Sequence, residues 1–161
     1  MTSPLRLLLR QAAGRWLRER AIPVGGVAAD RRLLRRALPQ ESLGRVLVVG
    51  SSLAARQAWP QTVVDVVGTS PYAADVTVCS HLDGPDSLPP ARWDTVLVTE
   101  TDRGLAERLQ VLRSACRPQG RLLMLQRGDV GDPAATLAHV AVVKQVYHRR
   151  GRRLVVAEVT A

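Results

Sequence analysis

Two carboxylates, Glu100 and Asp102, follow the strand predicted over residues 93–99. Open α/β sheets bind their ligands at the carboxyl ends of strands, so Glu100 at such a position could act as a general base or hold a substrate. The alternative is structural, because Asp102 is a natural N-cap for the helix predicted directly after it. The structural interpretation is favoured.

The three histidines offer little further catalytic potential. His81 lies beside Asp83 after another apolar run and could act as a base. His139 and His148 are distant in sequence, and no pair has a metal-binding spacing such as His-x-x-x-His. The sequence therefore predicts no metal site.

The candidate nucleophiles are also weak. Ser51 and Ser52 follow a buried strand, but the Gly-x-Ser-x-Gly pattern of a nucleophile turn is missing. Cys79 and Cys116 each lie in apolar sequence, which is typical of unreactive core thiols. Two cysteines can form neither a disulfide scaffold nor a four-thiolate zinc site.

The strongest charge signal lies at the two ends of the chain, which has a net charge of +9. Residues 1–45 carry ten arginines against three acids, residues 46–143 carry eight against ten, and residues 144–161 carry five basic groups against one acid. Such a distribution favours an acidic protein partner, nucleic acid or anionic lipid. The alternative is a set of solvated faces that only aid solubility.

Four arginines between the last two apolar runs are the local centre of this charge: Arg149, Arg150, Arg152 and Arg153. Guanidinium groups suit phosphate, and a turn would present them outward, so these four are predicted to bind a partner or a phosphate group. Only Tyr147 accompanies them as an aromatic residue, so stacking on single-stranded nucleic acid is not supported.

Length and composition indicate a single globular domain. The chain has 161 residues, of which 46% are hydrophobic and 23% charged, a balance that excludes wholesale disorder. No apolar run approaches the ~20 residues needed to cross a bilayer. The first residues interleave arginine with leucine, unlike a secretory signal, so a cytoplasmic location is expected.

Residues 1–43 are predicted to form a basic helical extension. Residues 4–20 carry an apolar stripe that includes Trp16, and this helix could pack on the domain, on a partner or on a membrane surface. Pro23, Gly25 and Gly26 are expected to break the chain, and a second helix is predicted over residues 28–38 with Asp30 in its first turn.

Residues 44–161 are predicted to form an α/β domain. Short apolar strands alternate with helices, which is typical of a mostly parallel sheet covered on both faces, and an antiparallel hairpin closes the chain. The predicted strands span residues 46–49, 62–67, 75–79, 93–99 and 121–125, the helices residues 53–59, 105–116 and 134–140, and the hairpin residues 142–147 and 154–159.

The segment WDTVLVTETDRGLAERLQVLRSACRPQGRLLML is the most specific part of the chain. Its Asp94 before a strand and its SACRPQGRLLML after a helix resemble class I S-adenosylmethionine-dependent methyltransferases, in which Gln119 is usually glycine. The resemblance covers residues 44–160 and implies a three-layer Rossmann-like α/β fold whose last two strands form the hairpin.

The resemblance also implies where a cofactor would bind, at the ends of the first, second, third and fourth strands. The matching positions are Gly50, Ser51, Ser52, Gly68, Thr69, Asp83 and Thr99.

Several of these positions depart from the family's pattern. Val48 replaces the acid before the first loop, and Ser52 and Ala54 replace two glycines whose missing side chains give the cofactor room. Gly68 stands where the family has the acid that binds both ribose hydroxyls. Asp65 lies three residues earlier, and strand alternation points it away from the ligand.

The connection after Gly68 supports the same conclusion. Six residues separate it from the strand predicted at 75–79, whereas a helical crossover needs about 10–12. The sequence therefore predicts an eroded cofactor pocket, with no cofactor expected, and S-adenosylmethionine only if the pocket functions.

Three functions follow from these observations. The first is a non-catalytic methyltransferase-like subunit or interaction module that acts with an acidic protein partner or as a homo- or hetero-oligomer. The second is a divergent S-adenosylmethionine-dependent methyltransferase. The third is a nucleic-acid-binding module that uses the terminal arginines; a peripheral membrane contact by the N-terminal helix is a further alternative.

Overall fold

The computed structural model describes residues 24–51, 53–62, 64–67, 88–99, 105–128 and 131–161. The helix predicted at 4–20 and the strand predicted at 75–79 lie outside these residues.

The described strands form one mixed sheet in the order β2-β1-β3-β4-β6-β5. Strands β1 to β4 run parallel to one another, whereas β6 pairs antiparallel with both β4 and β5. The strands are β1 (Val46–Val49), β2 (Val64–Val67), β3 (Trp93–Val98), β4 (Cys116–Arg127), β5 (Val142–Arg149) and β6 (Arg152–Glu158). The predicted parallel sheet with a C-terminal antiparallel hairpin is confirmed.

The helices are α1 (Val24–Ala37), α2 (Leu53–Ala58), α3 (Leu105–Ala115) and α4 (Pro133–Ala138), with a 3-10 turn at Gln40–Ser42. The start of α4 is fixed by Asp132, whose side chain accepts hydrogen bonds from the amides of Ala134 and Ala135. None of the helices that the structure describes is long and apolar enough to cross a membrane.

Strand alternation divides the core into two clusters, one on each face of the sheet. Leu47 and Val49 of β1 pack with residues of α3 and α4 on one face. Val46 and Val48 pack with residues of α1 and α2 on the other. The result is the predicted three-layer arrangement, because each face of the sheet buries its apolar side chains under helices.

Helix α1 differs from the sequence prediction in where it starts and in what it contacts. It begins at Val24 rather than near residue 28, so Gly25 and Gly26 lie inside the helix. Its Leu33 and Leu34 are buried in the core cluster under the sheet. Burial of this face outweighs the cost of about 1 kcal/mol for each helical glycine. This part of the predicted extension therefore packs on the sheet of the α/β domain.

Strand β4 is also longer than predicted, because it includes an irregular segment at its start. Cys116 pairs with Trp93 and Arg121 pairs with Thr95, so residues 117–120 bulge out of register. Gln119 adopts a φ of 64° within this bulge. Glycine reaches such a left-handed backbone without strain, which accounts physically for its frequent place at this position in the resembling family.

Candidate functional site

Gly50 makes the turn out of β1 at the carboxyl edge of the sheet. It is buried, its φ is 110°, and its amide donates to the carbonyl of Val67 at 2.8 Å. A side chain is strained at this φ, so the turn requires glycine. Gly50 thereby links the ends of β1 and β2, where the resemblance placed the first cofactor loop.

Thr99 holds the other side of this loop. Its amide donates to the carbonyl of Val49 at 3.0 Å, and its hydroxyl lies 3.2 Å from the carbonyl of Ser51 and 3.3 Å from that of Val49. The structure thus brings Gly50, Ser51 and Thr99 together at this edge. The remaining predicted positions lie outside the described residues: Ser52, Gly68, Thr69, His81, Asp83, Glu100 and Asp102.

Val48 occupies the position at which the resembling family has an acid, and it points into the core. Its side chain is fully buried in the cluster beneath α1 and α2. The described residues that follow β1, β2 and β3 include Gly50, Ser51 and Thr99 and contain no carboxylate. This edge offers S-adenosylmethionine backbone and hydroxyl groups, but no described acid to accept hydrogen bonds from its ribose. At the described position where the resembling family has its first acid, the buried Val48 therefore offers the cofactor no polar group.

Asp65, the carboxylate of β2, is bound inside the protein instead. It is 2% exposed, and its Oδ2 accepts hydrogen bonds from the Trp93 indole at 2.7 Å and from Nε of Arg45 at 3.0 Å. Arg45 precedes β1 and Trp93 begins β3, so these partners lie at the amino end of the parallel strands. Asp65 is therefore engaged away from the candidate site, in agreement with the sequence prediction.

Asp94 also lies at the amino end of the sheet. One carboxylate oxygen accepts from the amide of Arg45 at 2.8 Å, and the other accepts from Nη1 of Arg117 at 3.0 Å. Gly44 lies against this carboxylate with a φ of 64°, and a Cβ there would come within 2.6 Å of the Asp94 Cβ. Asp94 thus fastens the start of β1 to the start of β4.

A groove of about 670 Å³ opens at this same amino end. Its lining includes Gln40, Arg45, Gln61 and Asp65. Because open α/β sheets bind ligands at the opposite edge, this groove is distinct from the candidate site.

The basic hairpin is only partly exposed. Arg150 occupies the turn with a φ of 45° and is exposed, whereas Arg149 and Arg153 are half-buried. The side chain of Arg152 is only 16% exposed, and its Nε lies 2.6 Å from Oδ1 of Asp30. Arg152 is therefore held inside the fold rather than presented outward as predicted, because α1 brings a carboxylate to it.

Asp30 belongs to this cluster and is buried, which the sequence did not lead us to predict. Its side chain is fully buried, and its Oδ2 accepts from Arg127 through Nη2 at 2.6 Å and Nε at 3.1 Å. The prediction placed Asp30 in a solvated first helical turn, but α1 begins earlier. Its spacing of three and four residues from Val27 and Leu34 puts it on the apolar stripe, and that signal could have located it.

Cys116 is not a nucleophile at neutral pH. Burial, with the nearby charge of Asp94 as a smaller cause, raises the pKa of its thiol from 9.0 to about 11. The thiol therefore stays protonated, in agreement with the predicted core role. Among the residues that the structure describes, no three His, Cys, Asp or Glu side chains cluster as metal ligands would.

Several solved structures similar to this one are methyltransferases. The N-methyltransferase NodS from Bradyrhizobium japonicum, in complex with S-adenosyl-L-homocysteine, is 13% identical with a TM-score of 0.66, over 84% of this chain and 88% of that one. A 1,6-didemethyltoxoflavin-N1-methyltransferase from Burkholderia thailandensis is 14% identical with a TM-score of 0.66, over 100% and 92% of the two chains.

A further similar structure is an S-adenosylmethionine-dependent methyltransferase from Mesorhizobium loti. It is 13% identical with a TM-score of 0.62, over 81% of this chain and 97% of that one. No family model and no curated protein matches the sequence. At identities this low, structural similarity establishes the architecture alone. Together with the sheet order, it shows that the chain has a class I methyltransferase-like fold.

Proposed function

We propose that this protein is a non-catalytic, methyltransferase-like interaction module that acts with a partner protein in the cytoplasm. The observation that carries the proposal is where the carboxylates lie. Asp65 and Asp94 are both bound at the amino end of the sheet, and the buried Val48 stands where the resembling family has its first acid. A methyltransferase fold establishes no methyl transfer by itself, because the activity depends on the site.

Thermal unfolding with S-adenosyl-L-homocysteine tests the absence of a working pocket. A ligand present at about 100 times its dissociation constant stabilises a protein by about 2.7 kcal/mol. For a chain of this size that corresponds to a rise in Tm of roughly 5–11 °C. We expect no rise with this chain at about 1 mM ligand, and a clear rise with NodS as the control.

A divergent methyltransferase is the second candidate, and the loop after β1 favours it. Gly50 keeps the turn that the family's first glycine makes, and Thr99 fixes the loop by two backbone carbonyls. Two of the similar structures contain S-adenosylhomocysteine. This candidate requires that the chain methylates an acceptor in the presence of the cofactor and that Gly50→Asp abolishes the methylation. If both results were found, the divergent methyltransferase would replace the non-catalytic module as the proposed function.

The partner surface we propose is β5, the last strand of the sheet. Among the described strands only β6 pairs with it, and its Val142 and Val146 are 46% and 41% exposed. Lys144 and His148 are exposed on the same strand. An extended acidic segment of the partner fits this edge, because main-chain hydrogen bonds would continue the sheet while acidic side chains meet the basic ones.

A second copy of this chain fits β5 less well. Lys144 and Arg149 give β5 a positive charge in each copy, and like charges on paired strands are destabilising. The charge of this edge therefore favours an acidic partner over a homodimer.

A synthetic peptide of alternating valine and glutamate tests this surface by fluorescence anisotropy. We expect Val146→Glu to weaken its binding about tenfold or more, since it places a like charge against the peptide. Leu53→Glu is the matched control, because Leu53 is 39% exposed but lies on α2. Equal effects of the two substitutions, or no binding of the peptide, would overturn the proposed surface.

A further inference from the structure

Three arginines stand in one row across the hairpin and its neighbour. Arg127 of β4 is the direct partner of Arg152 of β6, which is in turn the partner of Arg149 of β5. The residues two positions inward on the three strands pack in the cluster under α1: Leu125, Leu154 and Tyr147. Because side chains alternate along a strand, the three arginines share that face of the sheet.

The charge of this row is only partly neutralised. Asp30 contacts Arg127 and Arg152 and is fully buried. Within the described residues, Arg149 has no carboxylate partner. Like charges on directly paired strands are destabilising, so three guanidinium groups with one carboxylate leave an excess of two positive charges that an anion would relieve.

The hydrogen-bonding capacity of the row is also only partly used. Oδ2 of Asp30 accepts hydrogen bonds from Nη2 and Nε of Arg127, whereas its Oδ1 lies 2.6 Å from Nε of Arg152 without the geometry of a hydrogen bond. The remaining nitrogens of these two side chains and all those of Arg149 make no contact with it. Arg127 is 44% exposed, so the row can be reached from solvent. Guanidinium forks match the oxygen geometry of a phosphoryl group.

The row lies at the edge of the sheet where ligands bind. Arg127 ends β4, and Arg149 and Arg152 flank the turn, so all three are at the same edge as Thr99 of β3. The amide of Gly128 donates to the carbonyl of Gly151 at 2.8 Å, which closes the two strand ends. A Cβ built at either glycine would meet no described atom within 4 Å, so these two turn positions leave space for a ligand.

We propose that Arg127, Arg149 and Arg152 form a binding site for the dianionic phosphoryl group of a small molecule. Asp30 positions two of the three guanidinium groups, and Arg149 supplies a charge that the fold leaves unneutralised. The site does not depend on whether S-adenosylmethionine binds, because its residues lie on β4, β5 and β6, whereas the implied cofactor positions follow other strands.

The test is titration of the full chain with inorganic phosphate, with the Tm of thermal unfolding as the readout. Chloride buffers of equal ionic strength serve as the comparison. We expect saturable stabilisation by phosphate and by ribose 5-phosphate. Arg149→Gln should weaken both about tenfold or more, which corresponds to the loss of one charge-assisted hydrogen bond. Arg32→Gln is the matched control, since Arg32 is exposed on α1 and its loss removes the same charge.

Three results would overturn the proposal. One is a phosphate response no larger than that to chloride, and another is equal weakening by Arg149→Gln and Arg32→Gln. The third is tight binding of a single-stranded oligonucleotide with a steep salt dependence that neither free phosphate nor Arg149→Gln alters. That result would favour a nucleic-acid-binding surface spread over the basic ends of the chain.

Discussion

Asp30→Ala should lower the free energy of unfolding by about 3–5 kcal/mol, because it leaves Arg152 and Arg127 without the carboxylate that binds both. Asp30 is fully buried, and Arg152 is only 16% exposed, so water can replace the lost contacts only in part. For a chain of this size the change corresponds to a fall in Tm of roughly 6–20 °C, measured by thermal unfolding.

Two further variants make the Asp30 prediction specific. Glu41→Ala removes an exposed acid and should change stability by less than about 0.5 kcal/mol. The double variant Asp30→Leu/Arg152→Leu should recover much of the loss, because apolar residues often replace a buried ion pair without cost. A loss of under about 1 kcal/mol for Asp30→Ala would contradict the account of this cluster.

Asp65→Ala should lower the free energy of unfolding by about 2–3 kcal/mol, mainly because the indole of Trp93 loses its acceptor while fully buried. Arg45 adds less to this loss, since its side chain is 41% exposed and water can solvate it. The change is measured by urea unfolding, from the shift in midpoint at constant m value.

Asp65→Ala has a matched control in Trp93→Phe, which removes the indole donor rather than its acceptor. Combined in one chain, the two substitutions should cost less than the sum of their separate costs, because both delete the same hydrogen bond. Additive effects would show that the Asp65–Trp93 contact contributes nothing, and would leave Asp65 available for another role.

The sheet was predictable because its strands are buried on both faces and read as continuous apolar runs. Val46–Val49 is such a run, and residues 96–98 form another within β3; each is closed by a polar or turn residue. The start of α1 was not predictable from local signals, because Gly25 and Gly26 resemble a helix break. Leu33 and Leu34 pack in one cluster with residues of strands that are distant in sequence. These non-local contacts stabilise α1 despite its two glycines.

The candidate site was predictable only where the backbone determines it. Gly50 and Thr99 follow directly from the ends of two strands, so their proximity could be read from the sequence. The pairing of Asp30 with Arg127 and Arg152 spans about 100 residues and depends on how α1 crosses the sheet. No spacing rule along one element contains that information.

The most direct test of the central claim is calorimetric titration of the full chain with S-adenosylmethionine and, separately, with S-adenosyl-L-homocysteine. The proposed function predicts no saturable heat from either ligand up to about 1 mM, because Val48 replaces the family's first acid and Asp65 is bound at the opposite end of the sheet. Saturable binding with a dissociation constant in the low micromolar range would contradict the claim, and the chain would then be studied as a methyltransferase.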